Sequence, residues 1–231
     1  MYQVVILAGG LATRLRPITE TIPKSLIDIN GEPFVFHQLK LLKSKGISNI
    51  VFCTGYLGDM IENVVGNGAL FGMTIKYVND GNTLLGTGGA VKNALPLLGE
   101  SFFIMYGDSY LDCDYSQVQN IYNTQSFPGV MTIFENNDLW DKSNVEYNKE
   151  ENKIVSYSKV HKTQSMNYID YGLSLVNKSI FNSCKKNFFD LASLFEKLSR
   201  QGKLGGVNVN QRFYEVGSFD GVKELKKYLK K

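Results

Sequence analysis

The sequence has few of the residues that commonly carry metal or nucleophilic chemistry. Its 231 residues include three cysteines, two histidines and one tryptophan. Cys53, Cys113 and Cys184 are odd in number, widely separated and without a CxxC pair, which argues against a disulfide framework or a zinc site. We expect them to be reduced and buried. His37 and His161 are not part of any serine–histidine signature, so a catalytic triad is not indicated.

The sequence also lacks a strong excess of positive or negative charge, and it lacks long apolar runs. Lys and Arg number 25 against 22 Asp and Glu, a net charge of +3, and no basic block of five or more residues occurs. This pattern argues against nucleic acid as a partner. No apolar stretch approaches the ~20 residues that a membrane span needs, and no signal-peptide pattern opens the chain. We therefore expect a soluble, cytoplasmic protein without a membrane partner.

The length and the hydrophobic fraction of 43% suffice for one large core. No repeat, low-complexity tract or linker divides the sequence. We predict a single domain over residues 1–231, with a nucleotide-binding half at 1–125 and a second, substrate-binding half at 126–231. The oligomeric state stays open, and a homo-oligomer is one option.

The order of the predicted elements indicates an α/β fold. In the first half, strands are predicted at 2–8, 49–54, 74–78 and 102–106, with helices at 33–46, 57–65 and 89–97. In the second half, strands are predicted at 130–135, 144–148, 153–158 and 168–176, and helices near 189–200 and 219–230. This alternation predicts a Rossmann-like (GT-A-like) domain with a mixed, mostly parallel sheet flanked by helices. Ligands bind such sheets at the carboxyl ends of the strands.

The segment LAGGLATRLRPITETIPK, from Leu7 to Lys24, carries the densest functional signal. Gly9 and Gly10 let backbone N–H groups approach phosphate oxygens without a Cβ in the way. Arg14 can hold two phosphate oxygens with its planar guanidinium, and Lys24 adds a point charge. The segment fits neither the GxGxxG fingerprint nor the P-loop. It predicts a loop that binds polyphosphate.

This segment resembles the signature of the sugar-1-phosphate nucleotidyltransferases (NDP-sugar pyrophosphorylases), GG-x-G-T-R-L-x-P-x-T followed by P-K. Here it reads GGLATRLRPIT, then Pro23-Lys24, with Ala12 at the family's third glycine. If that position requires a positive φ, Ala12 strains the loop. The resemblance is to the short form without a C-terminal β-helix, similar to the small heptose- and mannose-1-phosphate guanylyltransferases and the amino-sugar-phosphate uridylyltransferases.

Further matches assign roles by resemblance. The catalytic residues would be Arg14, Lys24 and Asp108, and Mg²⁺ would be held by Asp108 and Glu215, where Glu215 replaces the family's aspartate. The nucleotide would contact Leu7, Ala8, Gly9, Gly10, Thr13, Arg14, Asp80, Gly86 and Thr87. The sugar phosphate would contact Asn144, Lys159, Asp170 and Gly172, where Asp170 replaces the family's asparagine.

The resemblance implies that an NTP and a sugar 1-phosphate give an NDP-sugar and pyrophosphate. The sugar phosphate would attack the α-phosphorus in line with the departing pyrophosphate. A phosphate monoester has a second pKa of about 6, so it is mostly dianionic at pH 7 and needs no general base. The reaction needs charge neutralisation, which Mg²⁺ and the cationic side chains supply.

Several alternatives stay open. The acceptor-only carboxylate of Asp80 favours a base with donor groups, which gives a weak lean to GTP without excluding UTP or CTP. A glycosyltransferase that uses an NDP-sugar is a second option, because Asp112-Cys113-Asp114 forms a D-x-D motif. The departures at Ala12, Asp170 and Glu215 would suit a non-catalytic subunit that binds an NDP-sugar.

Overall fold

The computed structural model describes residues 1–81 and 83–230. The strands are β1 (Val4–Leu7), β2 (Asp28–Ile29), β3 (Glu32–Pro33), β4 (Asn49–Thr54), β5 (Thr74–Asn79), β6 (Ser101–Tyr106), β7 (Ser109–Tyr110), β8 (Gly129–Glu135), β9 (Val145–Asn148), β10 (Lys153–Tyr157), β11 (Tyr168–Asn177), β12 (Gly205–Val209) and β13 (Tyr214–Glu215). The α-helices are α1 (Phe34–Ser44), α2 (Gly58–Val65), α3 (Gly86–Ala94), α4 (Tyr115–Thr124), α5 (Leu191–Arg200) and α6 (Phe219–Tyr228).

Nine of these strands form one mixed sheet in the order β5-β4-β1-β6-β11-β8-β12-β10-β9. The pairing directions set β10 and β11 against the other seven strands, which share one orientation. The α/β prediction with a mixed, mostly parallel sheet is therefore confirmed. Strands from both predicted halves belong to this sheet, because β6 pairs with β11.

The central strand β1 is buried on both faces, as its continuous apolar run predicts. One face packs with α1 in a cluster that contains Ile6 and Leu39, and the other face packs with α3 in a cluster that contains Val5 and Val91. All four side chains are fully buried. Each contributes about 1.5–3 kcal/mol through burial, so the strand ends that follow are held rigidly.

A small two-stranded ribbon lies outside the main sheet and matters for the site. Strand β13 pairs with β7 in antiparallel fashion, with Glu215 opposite Ser109. Behind it, a third apolar cluster joins Leu15 of the first loop to Val216 and Leu225 at the chain's end. The last helix is thereby attached to the loop that follows β1.

One predicted helix differs in its bounds from the observed helix, and two longer elements were not expected from the sequence. The helix predicted at 89–97 begins earlier, at Gly86, and ends at Ala94, where a 3₁₀ turn at Leu95–Leu97 continues. Helix α4 and strand β12 were not predicted. In β12, Gly206 is required by packing, since a Cβ there would lie 2.6 Å from the ring of Tyr147, and glycine weakens the strand pattern in the sequence.

The cysteines are free, and Cys53 and Cys113 are buried as expected. Cys184 is only partly buried, which corrects that expectation, because it follows a surface 3₁₀ segment at Lys178–Ser183. No helix within the described residues is long and apolar enough to cross a membrane.

Candidate active site

A cleft with about 180 Å³ of open space lies at the carboxyl ends of β1, β4 and β6. This is the position at which an open α/β sheet collects its ligands. It brings together residues that are far apart in sequence. The lining residues are Leu7, Gly9, Gly10, Lys24, Cys53, Asp80, Leu84, Gly86, Thr87, Ala90, Tyr106 and Asp108.

The loop after β1 is held by the neighbouring strand and leaves one glycine open. The N–H of Ala8 donates to the carbonyl of Cys53 at 2.8 Å. A Cβ on Gly9 would lie 3.2 Å from the backbone nitrogen of Gly55, so these two loops pack closely. A Cβ on Gly10 would meet nothing within 4 Å. The backbone at Gly10 therefore faces open space at the mouth of the cleft.

Ala12 adopts the left-handed conformation, with φ 49° and ψ 42°. The position therefore does require a positive φ, which costs an alanine roughly 1–2 kcal/mol. The carbonyl of Ala12 accepts hydrogen bonds from the Thr19 hydroxyl at 2.8 Å and the Leu15 N–H at 3.1 Å. These bonds and the buried Leu15 side chain hold the strained turn. Thr13 and Arg14 follow it and are exposed.

Asp108 lies in the turn after β6, and several contacts hold that turn. The buried side-chain amide of Gln38 donates to the carbonyls of Tyr106 and Ser109, at 3.2 and 2.8 Å. The Ser25 hydroxyl donates to the carbonyl of Gly107 at 3.3 Å. A buried polar side chain on the apolar face of α1 thus fixes the backbone that carries the carboxylate.

The ammonium of Lys24 donates to Oδ2 of Asp108 at 2.6 Å. Both side chains are largely buried, with exposed fractions of 20% and 16%. Charge-assisted hydrogen bonds of this length are among the stronger polar contacts in proteins. Lys24 reaches Asp108 from a 3₁₀ turn at Lys24–Leu26, which directly follows the loop after β1.

The ribbon of β7 and β13 places Glu215 beside Asp108. The N–H of Val216 donates to the carbonyl of Asp108 at 2.8 Å. The carboxylate of Glu215 accepts hydrogen bonds from the N–H of Gly217 and from the hydroxyl of Ser218, the latter at 2.6 Å. Ser218 is also the N-cap of α6, so the helix end orients this carboxylate.

Gly217 keeps a gap open between the two acids. A Cβ on Gly217 would lie 2.3 Å from Oε2 of Glu215, 3.0 Å from Nη2 of Arg14 and 3.3 Å from Oδ2 of Asp108. Three functional groups thus surround one point. Two carboxylates fit a hard divalent cation whose remaining ligands are water or phosphate oxygens. Within the described residues, no group of three or more His, Cys, Asp or Glu could hold a metal, so outside oxygen ligands would be required.

Asp80 lies at the other end of the cleft. Its Oδ2 accepts a hydrogen bond from the N–H of Leu85 at 3.1 Å. Its Oδ1 is buried and has no hydrogen-bond partner among residues 1–81 and 83–230. Burial raises the pKa of this carboxyl, and the Leu85 N–H opposes that shift. An unsatisfied buried acceptor costs free energy that a ligand donor would recover.

The glycine-rich start of α3 is only partly available to a ligand. The carbonyl of Phe189 accepts hydrogen bonds from the N–H groups of Gly88 and Gly89, at 3.0 and 3.2 Å. These first-turn amides are therefore not free to bind phosphate at this helix N-terminus. Gly86 and Thr87 line the cleft instead.

The predicted sugar-binding residues cluster around a bulge in β11. The N–H of Asp170 donates to the side-chain oxygen of Asn144 at 2.9 Å, and the N–H of Gly172 donates to Oδ1 of Asp170 at 2.9 Å. Gly172 has a φ of 97°, and the register between β11 and β8 shifts between Asp170 and Ser174. Bulges of this kind re-aim side chains beside functional sites.

Burial raises the pKa of Asp170, with Lys159, the Gly172 N–H and the Tyr157 hydroxyl acting in the opposite direction. The hydroxyl of Tyr157 donates to Oδ2 of Asp170 at 3.3 Å. The ammonium of Lys159 donates to the hydroxyl of Tyr106 at 3.4 Å and lies 5.2 Å from the centre of that ring. The exposed Lys159 therefore stands at the edge of the cleft that Tyr106 lines.

A second, more open cleft with about 750 Å³ of space adjoins Lys159. Its lining residues are Asp138, Asp141, Lys142, Ser143, Asn144, Ser158, Lys159, Val160 and Lys162. Because Lys159 also contacts Tyr106, the two clefts meet at this pair of side chains. The first cleft is lined by most of the predicted nucleotide residues, but not by Ala8, Thr13 or Arg14. The second is lined by Asn144 and Lys159 of the predicted sugar-phosphate set, but not by Asp170 or Gly172.

Sequence reasoning missed four side chains that shape the site. Gln38 and Ser218 orient the two acids, Tyr106 joins the two clefts, and Tyr157 contacts Asp170. Gln38 carried a signal, because it is a polar residue beside Leu39 on an otherwise apolar helix face. The others carried none, since their partners lie far away in sequence.

The D-x-D motif has structural partners. Asp112 forms an ion pair with Lys45 at 2.6 Å and accepts a hydrogen bond from the Tyr228 hydroxyl at 3.2 Å. Asp114 is the N-cap of α4, where it accepts a hydrogen bond from the N–H of Gln117 at 3.0 Å. Both carboxylates are therefore engaged by the protein itself.

Comparisons with known proteins identify the family of this chain. Residues 3–144, more than half of the chain, match the family described as nucleotidyl transferase. The D-glycero-alpha-D-manno-heptose 1-phosphate guanylyltransferase of Campylobacter jejuni is 32% identical over 181 residues, which cover 78% of each protein. The N-acetylmuramate alpha-1-phosphate uridylyltransferase of Neisseria meningitidis is 38% identical over 115 residues. That match covers 49% of this chain and 50% of the relative, so it spans about half of each protein.

A solved structure extends the likeness over the whole fold. The crystal structure of HddC from Yersinia pseudotuberculosis complexed with GMP-PN superposes with a TM-score of 0.82 at 25% identity. The match covers 99% of this chain and 100% of that chain. The chain therefore belongs to the nucleotidyl transferase family, among the sugar-1-phosphate nucleotidyltransferases.

Proposed function

We propose that the chain joins an NTP to a sugar 1-phosphate, giving an NDP-sugar and pyrophosphate. The observation that carries this proposal is the convergence of Arg14, Asp108 and Glu215 around Gly217, with Lys24 bonded to Asp108. Two acids and two cations beside an open glycine loop suit a reaction between two phosphate anions. Such a reaction depends on positioning and charge neutralisation rather than on an acid–base pair.

Each charged side chain then has a task. Arg14 would hold the β- and γ-phosphates of the nucleotide, which leave as pyrophosphate. Lys24 would leave Asp108 and lie between the α-phosphate and the incoming sugar phosphate. Asp108 and Glu215 would hold Mg²⁺, which when bound neutralises phosphate charge and polarises the α-phosphoryl oxygens. Leu7, Ala8, Gly9, Gly10 and Thr13 would line the path of the triphosphate.

The nucleotide would be GTP. The unpaired Oδ1 of Asp80 is an acceptor, and guanine offers two donors, N1–H and the 2-amino group, on its pairing edge. The Campylobacter relative is named as a guanylyltransferase, and the HddC structure is described as complexed with GMP-PN. Gly86 and Thr87 would contact the base with backbone groups. The Neisseria relative, named as a uridylyltransferase, keeps UTP as the second candidate, and CTP is the third.

The sugar 1-phosphate would occupy the second cleft. Lys159 would bind its phosphate at the junction of the two clefts. Asp170 would accept hydrogen bonds from sugar hydroxyls, Asn144 would offer its side-chain NH₂ because its oxygen is already used, and Gly172 would leave room for the ring. This arrangement suits a pyranose in general and selects no single sugar.

The protein groups that are bonded to Asp112 and Asp114 of the D-x-D motif argue against the glycosyltransferase alternative. Asp112 is paired with Lys45 and Asp114 caps α4, so neither carboxylate is placed as a free metal ligand. The free thiols of Cys53 and Cys113 suit a reducing compartment, and we place the enzyme in the cytoplasm.

A panel of GTP, UTP, CTP and dTTP with several sugar 1-phosphates and Mg²⁺ tests the function through pyrophosphate release. We expect GTP to give the highest kcat/KM. Lys24→Ala and Asp108→Ala should each lower kcat by roughly 10²–10³ while the protein stays folded. Asp114→Ala should keep near-normal turnover, whereas a D-x-D glycosyltransferase would lose it. Magnesium-dependent turnover would exclude the non-catalytic subunit, and its absence with every nucleotide would reject the function.

A further inference from the structure

The turn that begins α3 is held by a segment about a hundred residues further along the chain. The carbonyl of Phe189 accepts hydrogen bonds from Gly88 and Gly89, and the N–H of Phe189 donates to the carbonyl of Leu85 at 3.1 Å. The backbone at 189 thus pairs with both sides of the Gly86–Thr87 turn. This pairing fixes the turn from outside the cleft.

The glycines of this turn make that contact possible. A Cβ on Gly88 would lie 2.2 Å from the ring of Phe189, and a Cβ on Gly86 would lie 2.6 Å from the Phe189 carbonyl oxygen. A Cβ on Gly89 would lie 2.1 Å from the carbonyl oxygen of Asn187. Gly86 also has a φ of 73°. These glycines therefore serve packing against residues 187–189 in addition to any approach by a ligand.

Thr87 and Asp190 complete a reciprocal cap between two helices. The hydroxyl of Thr87 donates to Oδ1 of Asp190 at 2.8 Å and accepts from the N–H of Leu191 at 2.8 Å. Asp190 is itself the N-cap of α5, where it accepts from the N–H of Ala192 at 3.0 Å. N–H groups in the first turn of α3 donate to the carbonyl of Phe189, which lies just before α5. In return, the first N–H of α5 donates to the hydroxyl of Thr87 in α3.

We propose that Phe189 and Asp190 are positioning residues that set the geometry of the Gly86–Thr87 turn and thereby the affinity for the nucleotide base. Gly86 and Thr87 line the first cleft, whereas Phe189 and Asp190 do not, so the latter act through the turn. This inference rests on the proposed function, because it assumes that the first cleft holds an NTP.

Steady-state kinetics on a small set of variants tests the proposal. Asp190→Ala removes the acceptor that Thr87 uses, and we expect a roughly tenfold higher KM for GTP with kcat and the KM for sugar phosphate within twofold. Asp190→Asn keeps an acceptor oxygen and should restore the normal value. Thr87→Val removes the hydroxyl but keeps the bond between Asp190 and the N–H of Ala192 at the start of α5, and it should reproduce the Asp190→Ala effect.

A matched control and a rescue separate positioning from stability. Asp114→Ala removes an equivalent N-cap from α4 and should lower Tm similarly while leaving both KM values unchanged. Gly88→Ala should raise the KM for GTP because its Cβ meets the Phe189 ring, and adding Phe189→Ala should partly restore it.

A normal KM for GTP in both Asp190→Ala and Thr87→Val would overturn the proposal, as would an equal effect of Asp114→Ala. If the proposed function itself is wrong, the wild-type protein will release no pyrophosphate from any NTP. That result is distinct from an unchanged KM in the variants.

Discussion

The ammonium of Lys24 lies 2.6 Å from Oδ2 of Asp108, although 84 positions separate the two residues in sequence. A cation that the reaction would use on phosphate therefore neutralises a carboxylate that would hold the metal. Binding of a divalent cation at Asp108 must compete with this ammonium, and an incoming phosphate would draw the ammonium away. Metal and nucleotide binding should consequently favour each other.

Replacing Lys24 by methionine separates its competition with the metal from its role on the phosphate groups. Lys24→Met removes the competing charge, so the free protein should bind Mn²⁺, used as a probe, about tenfold more tightly. Turnover should nevertheless fall by roughly 10²–10³, because the cation that would stabilise the transition state is lost. Calorimetry with Mn²⁺ alone and a pyrophosphate assay measure the two quantities.

The surface pair of Lys40 and Glu32 offers a control for this experiment. Lys40 lies 2.5 Å from Glu32 but is exposed, so Lys40→Met should change neither metal affinity nor turnover. Weaker Mn²⁺ binding by Lys24→Met would show that the lysine does not compete with the metal.

Gly217→Ala should disrupt the site by geometry alone. The added methyl would lie 2.3 Å from Glu215 and 3.3 Å from Asp108, so one carboxylate must move. We expect at least a hundredfold loss of kcat/KM and a higher requirement for Mg²⁺. Gly99→Ala, whose Cβ would meet nothing closer than 3.8 Å, is the matched control and should be fully active. Normal activity of Gly217→Ala would mean that the gap is not part of the site.

The raised pKa of Asp170 makes a prediction about stability and pH. Burial raises the folded-state pKa above the unfolded value of about 3.9, so the folded state binds the proton more tightly. The charged form therefore costs stability in full above the folded pKa. That cost declines as pH falls below the folded pKa and is gone below the unfolded pKa.

Asp170→Asn should accordingly raise Tm by a few degrees at pH 8, and the gain should vanish near pH 3. Thermal unfolding at the two pH values measures this difference. Asp59→Asn, at an exposed position, should show no gain at pH 8. A pH-independent gain for Asp170→Asn would mean that lost charge is not its cause.

Ala12→Gly should relieve the left-handed backbone. Relief of the left-handed strain stabilises the protein by roughly 1–2 kcal/mol, and the greater freedom of glycine in the unfolded chain opposes it by about 0.4–1 kcal/mol. We therefore expect urea unfolding to show a net gain of up to about 1.6 kcal/mol. Gly46→Ala, at a φ of 80° with open space around its Cβ, should lose stability by a similar mechanism. A destabilised Ala12→Gly variant would show that the alanine methyl makes a compensating contact.

The candidate site was predictable where chemistry and spacing lie close together in sequence. The glycines and cations between Leu7 and Lys24 predict phosphate binding, and Asp108 follows a recognisable strand. The supporting contacts were not predictable. Gln38 is conspicuous only as a polar residue on an apolar helix face, which does not reveal its partners, and Asp190 resembles an ordinary N-cap. In both cases the partners lie far along the chain.

The sequence by itself determined the alternation of strands and helices, since burial of apolar residues follows a period that local sequence displays. It also determined the position of the glycine-rich loop after β1 and the identity of the charged groups in it. Only the tertiary structure decided that a two-stranded ribbon places Glu215 beside Asp108, and that Phe189 and Asp190 hold the turn at Gly86 and Thr87. Such contacts depend on how closely two distant segments approach each other in the fold, and a pairing between distant segments leaves no periodic pattern in the local sequence.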